Sequence, residues 1–498
     1  MIYQRFLDDH LESIQNELCL LRNISDDTGV QPEQITTVVL DELATYCEEE
    51  KSPSECNINA KNQCIKALAR MLIQYCCDIA SGEKSTPTVS NRMAMNLTQL
   101  ATTLNKMVGT YAHEDAASTF IASWVPLAAY AAACICCICI PSTKVHRAQS
   151  KSLLVIGEGI LQSCENLSTC KNQNEVYSTF LTQLLSLVSQ NTSKEEWILP
   201  QSLPKLVLRW MVSKVSFPNL GGDVLGRLLA LVFPLVDACN RTTQLVGIEI
   251  LYHIIKNVTA TELRWYSDIL LQVLRRAITT RTPAVLDLAL ASLISALELL
   301  QIPSQSFDLY DQFFPRLIND ANLAIEHEIR LLLLRSIRKM LTAMGAPQSI
   351  HLIVYLQPLL EVTLRTFDST NTALVSEALL LLKDIISSAW PRITYHTEDI
   401  FVGVLRSVAY CATLSAEGMH AGRDHTLTLL PLGHSIIQSL HALEKFADIH
   451  GQEKKKILTL LGKTQKAIRK NCFLYKFCSD AIEVLQAQDP QSLSSAPL

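Results

Sequence analysis

The sequence predicts an all-α fold, a HEAT/armadillo-like helical-repeat superhelix (α-solenoid), on three observations. Glycine (16) and proline (18) are sparse in 498 residues, whereas sheet-rich chains need turn residues at close intervals and show period-two alternation. Apolar residues instead recur at three- and four-residue steps, the spacing of one helix face. From about Asp223 onward, helix-sized segments arrive every ~20 residues, so a two-helix unit takes ~40, the length of a HEAT or armadillo unit. The chain also exceeds the ~250–300 residues that one core usually holds, and each such unit covers its apolar face only by stacking on neighbours.

Residues 1–145 read as an N-terminal helical region of weaker periodicity. Met1 to Leu20 carries Arg5, Asp8, Asp9, Glu12 and Glu17 and no apolar signal-peptide core. The 16 cysteines are therefore expected to be reduced thiols of a cytoplasmic and nuclear protein. The sequons at Asn23, Asn96, Asn166, Asn191 and Asn257 are expected to carry no sugar. Polar breaks fall at Glu48–Asn59, Ser81–Arg92, Thr413–His425 and Gln488–Leu498, the last a disordered tail. Ala116–Pro141 has no charged side chain and is long enough for a bilayer, which takes ~20 apolar residues. Its alanines and cysteines are weak membrane residues, so the expectation is buried packing, as two helices or one kinked at Pro126, in a soluble protein.

Residues 146–487 are expected to form the repeat array. In Ala284–Leu300, Leu286, Leu290, Leu293, Leu297 and Leu300 follow helical steps, with Thr282 placed to cap and Pro283 at the helix start, where its missing N–H costs little. Ile329–Met344 carries Leu331, Leu334, Ile337 and Leu341 on one stripe with arginines mostly off it, and Gly345 as a C-terminal stop. Thr372–Ser388 repeats the pattern after the polar run Asp368–Ser369–Thr370–Asn371.

Signatures of chemistry are missing. Gly221 and Gly226 have the outer spacing of a phosphate loop, but Arg227 and Leu228 stand where lysine and a hydroxyl would grip phosphate and magnesium. Cys134, Cys136, Cys137 and Cys139 lie in one apolar helical run pointing in different directions, unlike the paired turns of a zinc site; they and Cys76–Cys77 read as core. His420, Asp424 and His425 share a loop and His434 and His441 a helix face, but nothing forces three or four ligands to converge. Lys454–Lys456 reads as a solvated helix face. The formal net charge of −5 lacks the basic excess of nucleic-acid binders. These readings point to protein binding, with no enzyme activity, cofactor, metal, nucleic acid or membrane partner expected.

Two stretches carry a family resemblance. One is Phe233-Pro-Leu-Val-Asp237, then Gln244 to Ile255 with Gly247 and His253, then Glu262-Leu-Arg264-Trp265. The other is Ile385 to Ile393 with Trp390-Pro391-Arg392. Together they resemble the Tel-two-interacting protein two family over about Leu228–Leu443, with Ala238 and Val246 where that family usually has an acidic residue and a lysine. Read as residues, Gly247 inside a helix costs ~1 kcal/mol against alanine unless a neighbouring helix comes close. Asp237 can cap the next helix or pair with Arg241. Trp390-Pro391 is expected to end a helix, its indole packed between repeats or offered to a partner.

The resemblance implies a non-enzymatic subunit of the triple-T co-chaperone complex, with Tel-two and Tel-two-interacting protein one as partners. It further implies work with the ninety-kilodalton heat-shock chaperone and the R-two-TP complex on phosphatidylinositol-three-kinase-related kinases (mTOR, ATM, ATR), and so a part in TOR signalling and the DNA-damage response. The segment from Trp390 onward is the expected contact. The alternative from the residues alone is a helical-repeat adaptor of another assembly, a transport or trafficking scaffold.

Overall fold

The computed structural model describes residues 55–81, 87–112, 123–139, 147–168, 170–190, 194–200, 202–301, 307–345, 350–400, 402–404 and 452–467, with single positions elsewhere. Every regular element among them is helical. The histidine cluster at 420–425, His434 and His441, the break at 413–425 and the tail at 488–498 lie outside the described residues. Two compact units divide the chain at Val273 and Leu274.

In the first unit, α1 (Glu55–Ser81), α2 (Pro87–Ala112), α3 (Val125–Ile138) and α4 (Arg147–Leu167) form one packed cluster. Of the break expected at Ser81–Arg92, Ser81 ends α1 and residues 87–92 begin α2, which opens at Pro87, a position where its fixed φ and missing N–H suit a helix start. Every one of the 14 residues of α3 is buried. Pro126 sits in its first turn, not at a kink. At 1.5 Å per residue α3 spans about 21 Å, short of the ~30 Å of a bilayer core. Its alanines let α1, α4 and α8 approach it. Among the described residues one 18-residue helix, Pro283–Leu300, is long and apolar enough to cross a membrane by length and composition, and just over half of it is buried inside the protein.

After α5 (Gln173–Thr179), α6 (Leu181–Gln190), α7 (Lys194–Ile198) and α8 (Leu203–Val212), a regular alternation begins. The leading helices are α9 (Asp223–Val236), α12 (Ser267–Ala277), α15 (Phe314–Leu323) and α17 (Leu356–Thr366). The following ones are α10 (Arg241–Asn257), α13 (Pro283–Leu300), α16 (His327–Ala343) and α18 (Thr372–Ser388). Short turns precede the later leading helices: α11 (Ala260–Arg264), α14 (Asp308–Asp311), a 3-10 helix at Ile350–Tyr355, and α19 (Trp390–Ile393) with a 3-10 helix at Thr394–His396. In the first unit α9 packs on α10; in the second α15 packs on α16, α17 on α18, and the following helices α13, α16 and α18 on one another in order. The expected fold class, an all-α helical repeat, is the fold observed.

The following helices start from N-caps Asn240, Thr282, Glu326 and Asn371, at steps of 42, 44 and 45 residues. Aligned on those caps, the chain shows an internal copy. The third residue is Thr243, Val285, Ile329 and Leu374; the seventh Gly247, Ala289, Leu333 and Ala378; the eleventh Leu251, Leu293, Ile337 and Leu382. All twelve are buried. Asn240 and Asn371 accept backbone N–H groups through their side chains, as caps do. Thr282 stands at its N-cap without such a bond. Gly345 ends α16 with a positive φ of 84°, which glycine alone adopts without strain.

Within each unit, polar contacts link neighbouring repeats at about one repeat length. In the first unit Arg209 Nη1 meets Glu249 Oε2 at 2.8 Å. In the second, Arg335 and Arg338 converge on Glu377, at 3.4 and 2.8 Å, and Arg338 also reaches Asp384 at 3.7 Å. Along the leading helices, Arg316 donates to the Arg275 carbonyl, Arg365 to Asn322 and Arg406 to Asp368.

Candidate protein-binding surfaces

The residues singled out from the sequence fall in both units and divide by task. Asp237, Gly247, His253, Arg264 and Trp265 belong to the first unit, Trp390, Pro391 and Arg392 to the second.

Most of the first set clasps the segment 215–237. A Cβ on Gly247 would lie 2.6 Å from the Val236 backbone nitrogen and 2.7 Å from the Leu235 carbonyl carbon, so this glycine lets α10 touch the backbone of α9. Beside it Gln244 Nε2 donates to the Val236 carbonyl at 3.2 Å. His253 Nε2 lies 2.8 Å from the Val215 carbonyl oxygen. A carbonyl only accepts, so Nε2 carries the proton, leaving Nδ1 facing Asn257 Nδ2 at 3.4 Å. Glu262 accepts the Gly222 N–H at 2.9 Å. That carboxylate occupies the place an anion would take at the start of α9, and the Tyr266 hydroxyl lies 2.6 Å from where a Gly226 Cβ would sit. The glycine pair is therefore a packing device, as its missing lysine implies. Asp237 does not cap α10; Asn240 does, and Asp237 ends α9, because the cap must lie next to the first helical residue.

Arg264 and Trp265 take no part in this clasp. Arg264 is exposed and Trp265 is 86% exposed, with Ile269 one helical step along also exposed. A large indole left in water is a costly use of apolar surface, and Trp and Arg are the side chains most often found as binding anchors.

In the second unit α18 ends at Ser388, with Ala389 as its C-cap, and Trp390 opens the next turn with Pro391 in its first positions. The long helix thus ends directly before Trp390-Pro391, as expected, and the proline also starts the next turn. Of the two placements open to the indole, it is left 52% exposed while Ile393, three residues on, is fully buried. Pro391 and Arg392 are exposed.

Sequence reasoning missed Tyr395, 85% exposed, and Val354, 69% exposed. A register signal marks them. The residue just before each later leading helix is Tyr266, Phe313, Tyr355 and His396, ring side chains turned at least partly inward. The residue before that is Trp265, Gln312, Val354 and Tyr395, each exposed. One repeat position thus projects outward at every turn, and three of its four occupants are large and apolar.

The buried polar groups have structural explanations. Lys205, almost fully buried, donates to the Leu199 carbonyl and to Thr243 Oγ1, which itself donates to the Ile198 carbonyl. Burial lowers its pKa to about 8. Trp197 Nε1 donates to the Leu231 carbonyl at 2.9 Å. Burial raises the Cys76 and Cys134 thiols well above their ordinary range, and raises Cys137 as well. Neutral buried thiols are poor nucleophiles and poor metal ligands. Among the described residues no group of three or more His, Cys, Asp or Glu is arranged to hold a metal ion.

No protein-family model and no curated protein matches the chain. It is similar to the solved structure of Kap121p bound to RanGTP, at 13% identity, covering 94% of this chain and 44% of that one, with a TM-score of 0.46. It is also similar to importin beta crystallised in polyethylene glycol, at 11% identity, covering 97% and 62%, with a TM-score of 0.46. The chain spans about half the length of these structures. The fold assignment rests on the chain's own helices and their register.

Proposed function

We propose that the protein is a non-enzymatic scaffold that binds other proteins through side chains projecting from its repeat turns. The observation that carries this is the near-complete exposure of Trp265 and Tyr395 at one repeat position, each beside a turn fixed by buried neighbours. Within a unit, packed repeats offer a partner a preformed surface, so little ordering entropy opposes binding.

Two finer readings follow. In the first, the chain is a diverged subunit of the triple-T co-chaperone complex, bound to Tel-two and Tel-two-interacting protein one. It would support, through the ninety-kilodalton heat-shock chaperone and R-two-TP, the maturation of phosphatidylinositol-three-kinase-related kinases in cytoplasm and nucleus. Its support is the resemblance in Phe233–Asp237, Gly247, His253, Arg264-Trp265 and Trp390-Pro391-Arg392. In the second, it is a helical-repeat adaptor of another assembly, of transport or trafficking type. This gains support from the engagement of Gly247 and His253 in packing, which any stacked-helix adaptor needs.

Purification from cells at native expression, with partners identified by mass spectrometry, tests both. Recovery of the two other triple-T subunits, with the kinases in lower amount, supports the first reading. Reproducible recovery of a different assembly replaces it with the second. Recovery of no protein partner defeats the scaffold itself.

A further inference from the structure

The exposed row in the second unit has a distinctive charge environment. Along the repeats the arginines are largely spent on internal contacts: Arg275 on Gln312, Arg316 on Asp320, Arg335 and Arg338 on Glu377, Arg365 on Asn322 and Arg406 on Asp368. The turn at Trp390–His396 and the helix start just after it differ: Glu398 and Asp399 are exposed, and among the described residues neither has a hydrogen-bond or ion-pair partner. Glu398 and Asp399 lie three and four residues beyond Tyr395, so all three share a helix face. Arg392 is the one exposed cation of this turn. Val354 reaches the same end of the neighbouring repeat, because the helix that follows Tyr395 lies against α17: a Cβ on Gly403 would come within 2.6 Å of Leu364.

We infer that this edge, built from Val354, Trp390 and Tyr395 with Glu398 and Asp399, docks a basic segment of a partner protein. Lysine or arginine side chains of that segment stack on the two aromatic rings and pair with the two carboxylates, while Val354 covers an apolar side chain. The chemistry is that of a cation held between a ring face and an anion, and the unpaired carboxylates bias the encounter toward a positive partner. An acidic or neutral partner would gain nothing from Glu398 and Asp399. This inference rests on the scaffold reading and names the chemical class of its partner at this one edge.

The test places a photo-crosslinking p-benzoylphenylalanine at Tyr395 in the full chain in cells, and sequences what it captures. The expected product is a partner-protein segment of net positive charge. Its yield should fall about 10-fold in a Glu398→Lys/Asp399→Lys chain, the change expected of reversed charges at a rim, while the helical circular dichroism of that chain stays as in the parent. A neutral or acidic captured segment, a second copy of this chain, or a yield unmoved by the charge reversal overturns the inference. If partners co-purify but nothing is captured at this position, the inference falls and the scaffold reading stands. If none co-purify, both fall.

Discussion

Replacing Gly247 by alanine sets two large effects against each other, and the structure decides the sign. In an exposed helix the change stabilises by ~1 kcal/mol, since alanine loses less backbone entropy. At position 247 the new methyl would sit 2.6 Å from the Val236 nitrogen and 2.7 Å from the Leu235 carbonyl carbon, whereas ordinary carbon contacts lie at ~3.5–4.0 Å. Those are backbone atoms of α9, so no rotamer change relieves the clash, and the two helices must separate by about 1 Å. Overpacking of this kind costs ~1–3 kcal/mol and sometimes more. The His253–Val215 and Gln244–Val236 bonds cross the same interface and would stretch with it, which places the cost at the upper end. The net expectation for Gly247→Ala is a loss of about 2 kcal/mol, or roughly 4–8 °C in the melting of the first unit at the usual scaling for a body this large. Gly109→Ala in α2 is the control, because nothing lies within 4 Å of its would-be Cβ; it should raise stability by ~0.5–1 kcal/mol. Urea midpoints followed by circular dichroism measure both. If Gly247→Ala is as stable as the parent or more so, α9 and α10 do not make the close approach that this glycine is argued to permit.

Lys205 should give a pH signature: its pKa is about 8 in the folded chain and 10.5 as the ordinary value, so between those pH values the unfolded chain binds a proton that the folded one does not. Folding stability therefore rises with pH across that window, by about 3 kcal/mol in all, and comparison of urea midpoints with Lys205→Met at pH 7.5 and 10.5 should show the parent gaining on the variant; equal slopes would refute it. Glu377→Ala should cost about 1–2 kcal/mol, below the ~3–5 of a fully buried pair because Arg335 and Arg338 keep some solvent, while Arg335→Ala costs under ~1 kcal/mol; a double-mutant cycle in urea checks both. Maleimide labelling read by peptide mass spectrometry should modify exposed Cys239 in the native chain and reach Cys134 and Cys137 only on unfolding; fast native labelling of Cys134 would contradict the burial of α3. Trp265→Ala should change stability by under ~0.5 kcal/mol yet weaken partner capture about 10-fold or more, and a large stability loss with unchanged capture would make the indole structural.

The following helices were legible because their apolar faces are continuous and their ends chemically marked. Thr372–Ser388 comes out residue for residue, and Gly345 stops α16 as expected. The internal copy was hidden for a physical reason. At the seventh position after the cap, Gly247, Ala289, Leu333 and Ala378 differ widely in size, because each inter-helix gap is filled by whichever side chain fits it. The repeat is one of burial and of cap spacing, and caps are located only once helix starts are known. For the candidate surface, the sequence offered Trp390 as packed or partner-facing and Trp265 only through the family resemblance. A Trp-Pro pair reads equally as a stop or as a start, and only the buried Ile393 that anchors the next turn decides it. Tyr395 carried no motif; its exposure follows from its place one residue before the inward-turned His396.

Helices lined by leucine and isoleucine have a register problem that apolar burial does not solve. A slide of α18 against α16 by one turn, about 5.4 Å, would return Leu374, Leu381 and Ile385 to an equally apolar environment. It would also break the joint contact of Glu377 with Arg335 and Arg338, which lie about one turn apart on α16, and a buried carboxylate that loses its cations is costly. The Arg209–Glu249 pair and the backbone contact at Gly247 select one register in the first unit by the same logic. These contacts add little to net stability, since the desolvation of each charge offsets most of its attraction. What they do is penalise the alternatives. A turn that carries Trp390, Tyr395, Glu398 and Asp399 recognises a partner only if the helices on either side hold a fixed register. The arginine contacts along the repeats and the unpaired carboxylates at the edge are therefore two parts of one arrangement, cations tied up in setting the register and anions left unpaired to be read.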